Sequence, residues 1–161
     1  MRKPPSDPIR TAARKSSAKR RTGKNTRCAC GETRPEALIG NTGVCAECHR
    51  KSKGHATTDK HHVAGRANSA VTVPVPANDH RAVLSEAQYD WPKATLENPD
   101  GSPLLTAAAC IRGFIDTAIY LIEQMLRWIA EMLEVLNGIL VEKFGPEWWR
   151  DTPLARFVWE A

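Results

Sequence analysis

Two groups of side chains in this chain of 161 residues have the types and spacing for chemistry. Cys28, Cys30, Cys45 and Cys48 fall close together as two pairs, and the doublet His61-His62 is followed by a third histidine, His80. Thiolates are soft ligands and a divalent zinc ion takes four of them in a tetrahedron, so the cysteines predict a structural zinc site with no position open to water. Gly31 and the run Gly40-Asn41-Thr42-Gly43 supply the loops such a site needs. The plainer alternative is four reduced thiols in a small core.

Neighbouring residues on an extended segment point to opposite sides, so one histidine of the doublet can face a metal while the other faces a substrate. His80, at the start of a predicted short helix over 80–88, can close the metal site from across a turn. The bland reading of His61, His62 and His80 is exposed polar residues or a second structural metal.

The residues His61-His62-Val-Ala-Gly-Arg, Asn68-Ser-Ala-Val-Thr-Val-Pro, Asn78-Asp-His80-Arg81 and Asp90-Trp91-Pro92 together resemble the HNH (ββα-metal) nucleases of bacteria and their phages. The resemblance covers about residues 44–92. It implies that His61 and His80 hold a catalytic divalent ion such as Mg, Mn, Ni or Zn, and that His62 is the general base. It gives the orienting role of the family's asparagine to Asn68, the nearest one to the family position, where Val71 stands. The implied reaction is hydrolysis of a phosphodiester. That reaction needs a base near neutral pKa and a cation against the charge on the phosphate and the leaving 3′ oxygen. Arg66 and Arg81 would add phosphate contacts. The Cys-x-x-Cys pair that many relatives carry before the last histidine is missing, so the staple would come from Cys28, Cys30, Cys45 and Cys48.

The elements that must position these groups follow from composition. Residues 1–27 carry ten Lys and Arg against one acid and almost no large apolar side chains, which predicts a disordered basic arm for a polyanion. Residues 28–92 are the Cys/His/Gly-rich module, residues 93–103 a turn-rich linker, and residues 104–161 an acidic helical segment. No apolar stretch follows Met1, so a reducing cytoplasm is the expected compartment.

In the last segment Ile115, Ile119, Ile122, Leu126, Ile129, Leu133, Leu136 and Leu140 alternate steps of four and three, and a second apolar series runs one residue earlier. A helix apolar on so wide a face must be covered, which predicts homo-oligomerisation through 104–141. Charges such as Arg112, Asp116 and Glu123 interrupt the run and argue against a membrane span. Trp148, Trp149, Phe157 and Trp159 are expected to pack on the helix end.

The expected fold is small α+β: a zinc-ribbon and ββα-metal-like module, a long amphipathic helix and a C-terminal aromatic segment. The expected function is a metal-dependent HNH-type nuclease acting on nucleic acid, DNA before RNA. The rival is a non-catalytic zinc-ribbon nucleic-acid-binding protein with a helical self-association segment.

Overall fold

The computed structural model describes residues 8–23 and 25–157, in two compact units that meet in sequence between Tyr120 and Leu121. The first unit contains, in chain order, α1 (Pro8–Thr22), α2 (Ala46–Ser52), β1 (Thr58–His62), β2 (Thr72–Pro76), α3 (Ala77–Asp79), a π-helical stretch (His80–Leu84), α4 (Ser85–Tyr89), α5 (Lys93–Glu97) and the beginning of α6 (Pro103–Phe144).

β1 and β2 form an antiparallel hairpin with His61 opposite Val73 and His62 opposite Thr72. Opposed residues lie on the same face, so His61 shares its side of the hairpin with Val73 and Val75. His61 and Val75 are each 1% exposed. Pro74 and Pro76 give β2 two positions without an N–H, which discourages a further strand from pairing there.

The chain passes straight from β2 into α3, the π-helical stretch and α4. The Ser85 N–H reaches the His80 carbonyl, five residues back, so the turn that begins at His80 is widened by one residue. Leu84, on this stretch, packs with Val75 and with Tyr120 of α6. Tyr120 also donates its hydroxyl to Asp79 Oδ2 at 2.8 Å, and Arg34 Nη2 donates to Asp79 Oδ1 at 2.8 Å. One carboxylate thereby joins the cysteine region, the helix of His80 and α6.

The beginning of α6 is part of this unit. Its buried residues Ala109, Gly113, Thr117 and Tyr120 recur at helical spacing, and Ala109 packs with Ala64 and Trp91. Trp91 donates from Nε1 to Asp116 Oδ2 at 2.8 Å. The expected division at residues 93–103 is therefore corrected: the compact unit extends to Tyr120, because small side chains on α6 let it seat against the hairpin. The expected linker also holds α5, which ends at Asn98 in a left-handed conformation (φ 36°).

A second correction concerns the basic arm, which was expected to be disordered. Residues 8–22 form α1, while residues 1–7 lie outside the described part. Its ordering comes from docking: Ala18 and Thr22 are buried, and Arg14 bonds Asp90 at 2.7 Å and Glu86 at 3.4 Å. Alanines at 12, 13 and 18 favour the helix, and Lys19, Arg20 and Arg21 suit its C-terminal end.

In the second unit the remainder of α6 is exposed on nearly every side, with Leu126, Trp128, Leu133 and Ile139 all about half exposed or more. Gly145, at φ 87°, ends the helix, and Trp148 Nε1 turns back to donate to Asn137 Oδ1 at 3.1 Å. Trp148 thus meets the helix end as expected, whereas the side chain of Phe157 and all of Trp159 lie outside the described residues. By length and composition alone α6 is apolar enough to cross a membrane, with an 18-residue stretch of mean hydropathy 1.5.

Candidate metal centre and histidine cavity

The four cysteine sulfurs lie within 4.8 Å of one another. Cys30 Sγ and Cys45 Sγ are 3.6 Å apart, and a tetrahedral ion with metal–sulfur bonds of ~2.3 Å gives sulfur–sulfur edges of about 3.8 Å. None of the four is in a disulfide. Two local structures aim them. The Gly31 N–H closes a turn onto the Cys28 carbonyl with Gly31 at φ 102°, a conformation open to glycine. Cys45 is the N-cap of α2, where its sulfur accepts from the Cys48 N–H.

Electrostatics favour a cation among these sulfurs. The N–H groups of Cys30 and Cys45 pull the Cys28 thiol down to about 6. The neighbouring sulfurs, Cys30 first, push Cys48 up to about 12. Four adjacent sulfurs cannot all become thiolates unless a positive charge joins them. Leu38 packs with Cys28 and Cys45 and supplies the small apolar core, and an antiparallel bridge joins Leu38 to Cys45.

The histidines meet in part. The rings of His61 and His80 stand edge to face with centroids 5.3 Å apart. His80 Nδ1 lies 3.2 Å from Asp59 Oδ2, and because a carboxylate can only accept, that contact puts a proton on Nδ1, so in the neutral ring Nε2 is the free nitrogen. Asp59 is also bonded to Arg50 at 2.9 Å. Burial alone would raise its carboxyl pKa, but His80 and Arg50 outweigh that and hold it below the usual range.

His61 is pushed down to about 4, first by burial and then by the neighbouring His80 and His62, so it is neutral at pH 7. Its Nε2 is 3.5 Å from Gln88 Nε2, and its buried Nδ1 has no hydrogen-bond partner among the described residues. No third carboxylate, thiol or imidazole completes a cluster with these two; among the described residues only the cysteines do so.

His62 Nδ1 lies 3.2 Å from the carbonyl oxygen of Ser69. A carbonyl only accepts, so Nδ1 carries the proton and Nε2 is the basic atom. Gln88 holds the strand end in place by donating to the His62 carbonyl at 2.6 Å. His62 lines a cavity of about 550 Å³ together with Lys60, Arg66, His80 and Gln88.

The expected role of Asn68 is corrected. Its amide donates to the carbonyls of Ala64 and Thr95, and its Oδ1 accepts from Asn98. Asn68 therefore clamps the hairpin loop to α5, and the carbonyl that orients His62 belongs to the next residue, Ser69. The two expected phosphate contacts separate: Arg66 lines the histidine cavity, and Arg81 lines a different groove beside α1.

Asp59, Ser69 and Gln88 were not singled out from the sequence. Asp59 carried a faint signal, an acid two residues before the doublet on the same strand face as His61. The Ser69 contact is made by backbone and Gln88 reaches from another element, so neither leaves a mark in residue type. Compared with protein-family models, with curated proteins and with solved structures, the chain matches none.

Proposed function

We propose that the chain is a metal-dependent HNH-type nuclease stapled by a structural zinc ion. The observation that carries this reading is the paired fixing of two imidazoles on one hairpin and helix: Asp59 engages His80 at Nδ1 and the Ser69 carbonyl engages His62 at Nδ1, so the Nε2 atoms are the ones left for a metal ion and for water. His61 and His80 would hold a divalent ion, with water completing its shell. That ion would supply positive charge against the phosphate and the leaving 3′ oxygen. His62 would take the proton from the attacking water at Nε2, and Lys60 and Arg66, on the wall of the same cavity, would meet the phosphate oxygens. Cys28, Cys30, Cys45 and Cys48 would hold zinc, which stands in for a core that so small a module lacks, in a compartment reducing enough to keep thiols free.

The test is nicking of supercoiled plasmid by the purified chain with Mg, Mn, Ni or Zn. His62→Ala should lower the rate by 10²- to 10⁴-fold. No nicking with any ion, or undiminished nicking by the variant, overturns the reading. Binding without cleavage selects the non-catalytic zinc-ribbon alternative.

The exposed apolar surface of α6 beyond Tyr120 favours self-association as a companion property. Sedimentation of the full chain should give an oligomer, and a monomer at micromolar concentration would remove it.

A further inference from the structure

The histidine cavity has a neighbour. A groove of about 480 Å³ between α1 and the helix of His80 is lined by Arg14, Arg21, Arg81, Ser85 and Tyr89. Ser85 and Tyr89 line the histidine cavity as well. The consecutive residues His80 and Arg81 serve one each: His80 lines the histidine cavity and Arg81 the groove.

The three arginines are not equivalent. Arg14 is committed to holding α1: it pairs with Asp90 and Glu86, donates to the Tyr89 carbonyl at 3.3 Å, and lies 5.4 Å over the Tyr89 ring. Thr11 adds a bond to Asp90 at 2.8 Å. Arg21 and Arg81 are exposed, and neither has an ion-pair partner among the described residues. Of the two acids on the groove, Glu86 is offset by Arg14, which leaves Glu36 against two unpaired guanidinium groups. Lys15 and Lys19 extend the positive charge along α1.

We propose that this groove carries the phosphodiester backbone of the nucleic-acid strand next to the phosphate that enters the histidine cavity. Arg21 and Arg81 contact phosphates, and Arg14 is a positioning residue that keeps α1 against the helix of His80. A polymer suits two arginines from separate elements along an open groove, because each phosphate it brings releases counterions. The proposal rests on the nuclease reading of the histidine cavity and adds to it the path of the substrate.

The experiment uses the full chain with His62→Ala, in chelator, and follows fluorescence anisotropy of labelled duplex DNA and of the matching RNA across a salt series. Arg21→Gln with Arg81→Gln should weaken binding of at least one polymer and flatten the slope of log K against log salt by nearly two, at about 0.9 per lost phosphate contact on DNA. Arg21→Lys with Arg81→Lys should recover most of the affinity. The control is Lys51→Gln with Lys53→Gln, on and just beyond α2 and away from the groove, which should change little. An unchanged slope, an equal loss in the control, or no binding of either polymer overturns the proposal. Failure of the nuclease reading looks different: plasmid stays uncut by the protein with His62 intact while the arginine dependence of binding persists.

Discussion

Gly113 of α6 stands so close to Val63, the first residue after β1, that a Cβ on it would lie 1.7 Å from the Val63 carbonyl oxygen. Backbone against backbone leaves no flexible atom to yield. The contact sets the distance of α6 from the loop that follows the histidine doublet.

Gly113→Ala should therefore push α6 away from Val63 and Ala64. Overpacking of this kind costs about 1–3 kcal/mol, despite the higher helix propensity of alanine. Thermal unfolding should show a melting point lower by several degrees. Gly138→Ala, where nothing lies within 4 Å of the added Cβ, should be neutral or stabilising. A Gly113→Ala protein as stable as the parent would remove the close contact.

Removing the metal of the cysteine site should unfold the module around it. Cys28 and Cys45 are part of a cluster with only Leu38 between them, so ion binding and folding are coupled there. Purified protein should carry one tightly held zinc per chain by elemental analysis, and Cys48→Ser should lose it together with part of the cooperative melt. A Cys48→Ser protein that melts like the parent and holds no less zinc would contradict the assignment.

Asp59→Asn should weaken divalent-ion binding at the proposed His61/His80 site without disturbing the cysteine site. The carboxylate orients the His80 ring and fixes its tautomer, and losing such a partner typically lowers metal affinity 10- to 100-fold. Calorimetric titration of zinc-loaded protein with Mn or Ni reads this directly. Equal affinity in parent and variant would show that His80 is not a ligand.

His61 gives the chain an acid-sensitive step. Burial holds its pKa near 4, below the 6.5 of an unperturbed imidazole, so between these values the unfolded chain takes up the proton and the folded chain does not. Its contribution to stability is complete above pH 6.5 and is lost as pH falls toward 4, at about 1.4 kcal/mol per unit at most. Denaturant melts in chelator at pH 7 and pH 5 should show a larger loss in the parent than in His61→Gln, which has no imidazole to protonate. The same loss in both would mean that His61 is not buried in its neutral form.

The residue types already marked where side chains gather: four cysteines at ligand spacing, a histidine doublet on an extended segment, and a third histidine entering a helix. They also marked α6, whose start at Pro103 and end at Phe144 nearly match the periodic run from Leu104. Local patterns carry such features because turn, strand and helix periodicities are written within a few residues of the side chains they place.

Whatever depended on contacts between distant residues was decided only in three dimensions. The arm 1–27 reads as unable to order itself, yet α1 forms because Arg14 finds Glu86 and Asp90 more than seventy residues away. Asn68 looked like the partner of His62, but its amide is drawn to Ala64, Thr95 and Asn98, and the backbone of Ser69 takes its place. The boundary moved from the 93–103 turns to Tyr120 because Gly113 and Ala109 are small enough for α6 to reach the hairpin. Side-chain type limits which partners a residue can satisfy. Which partner it meets is settled by packing, since a buried polar group or a close backbone contact holds only where the whole fold brings the matching atom within reach.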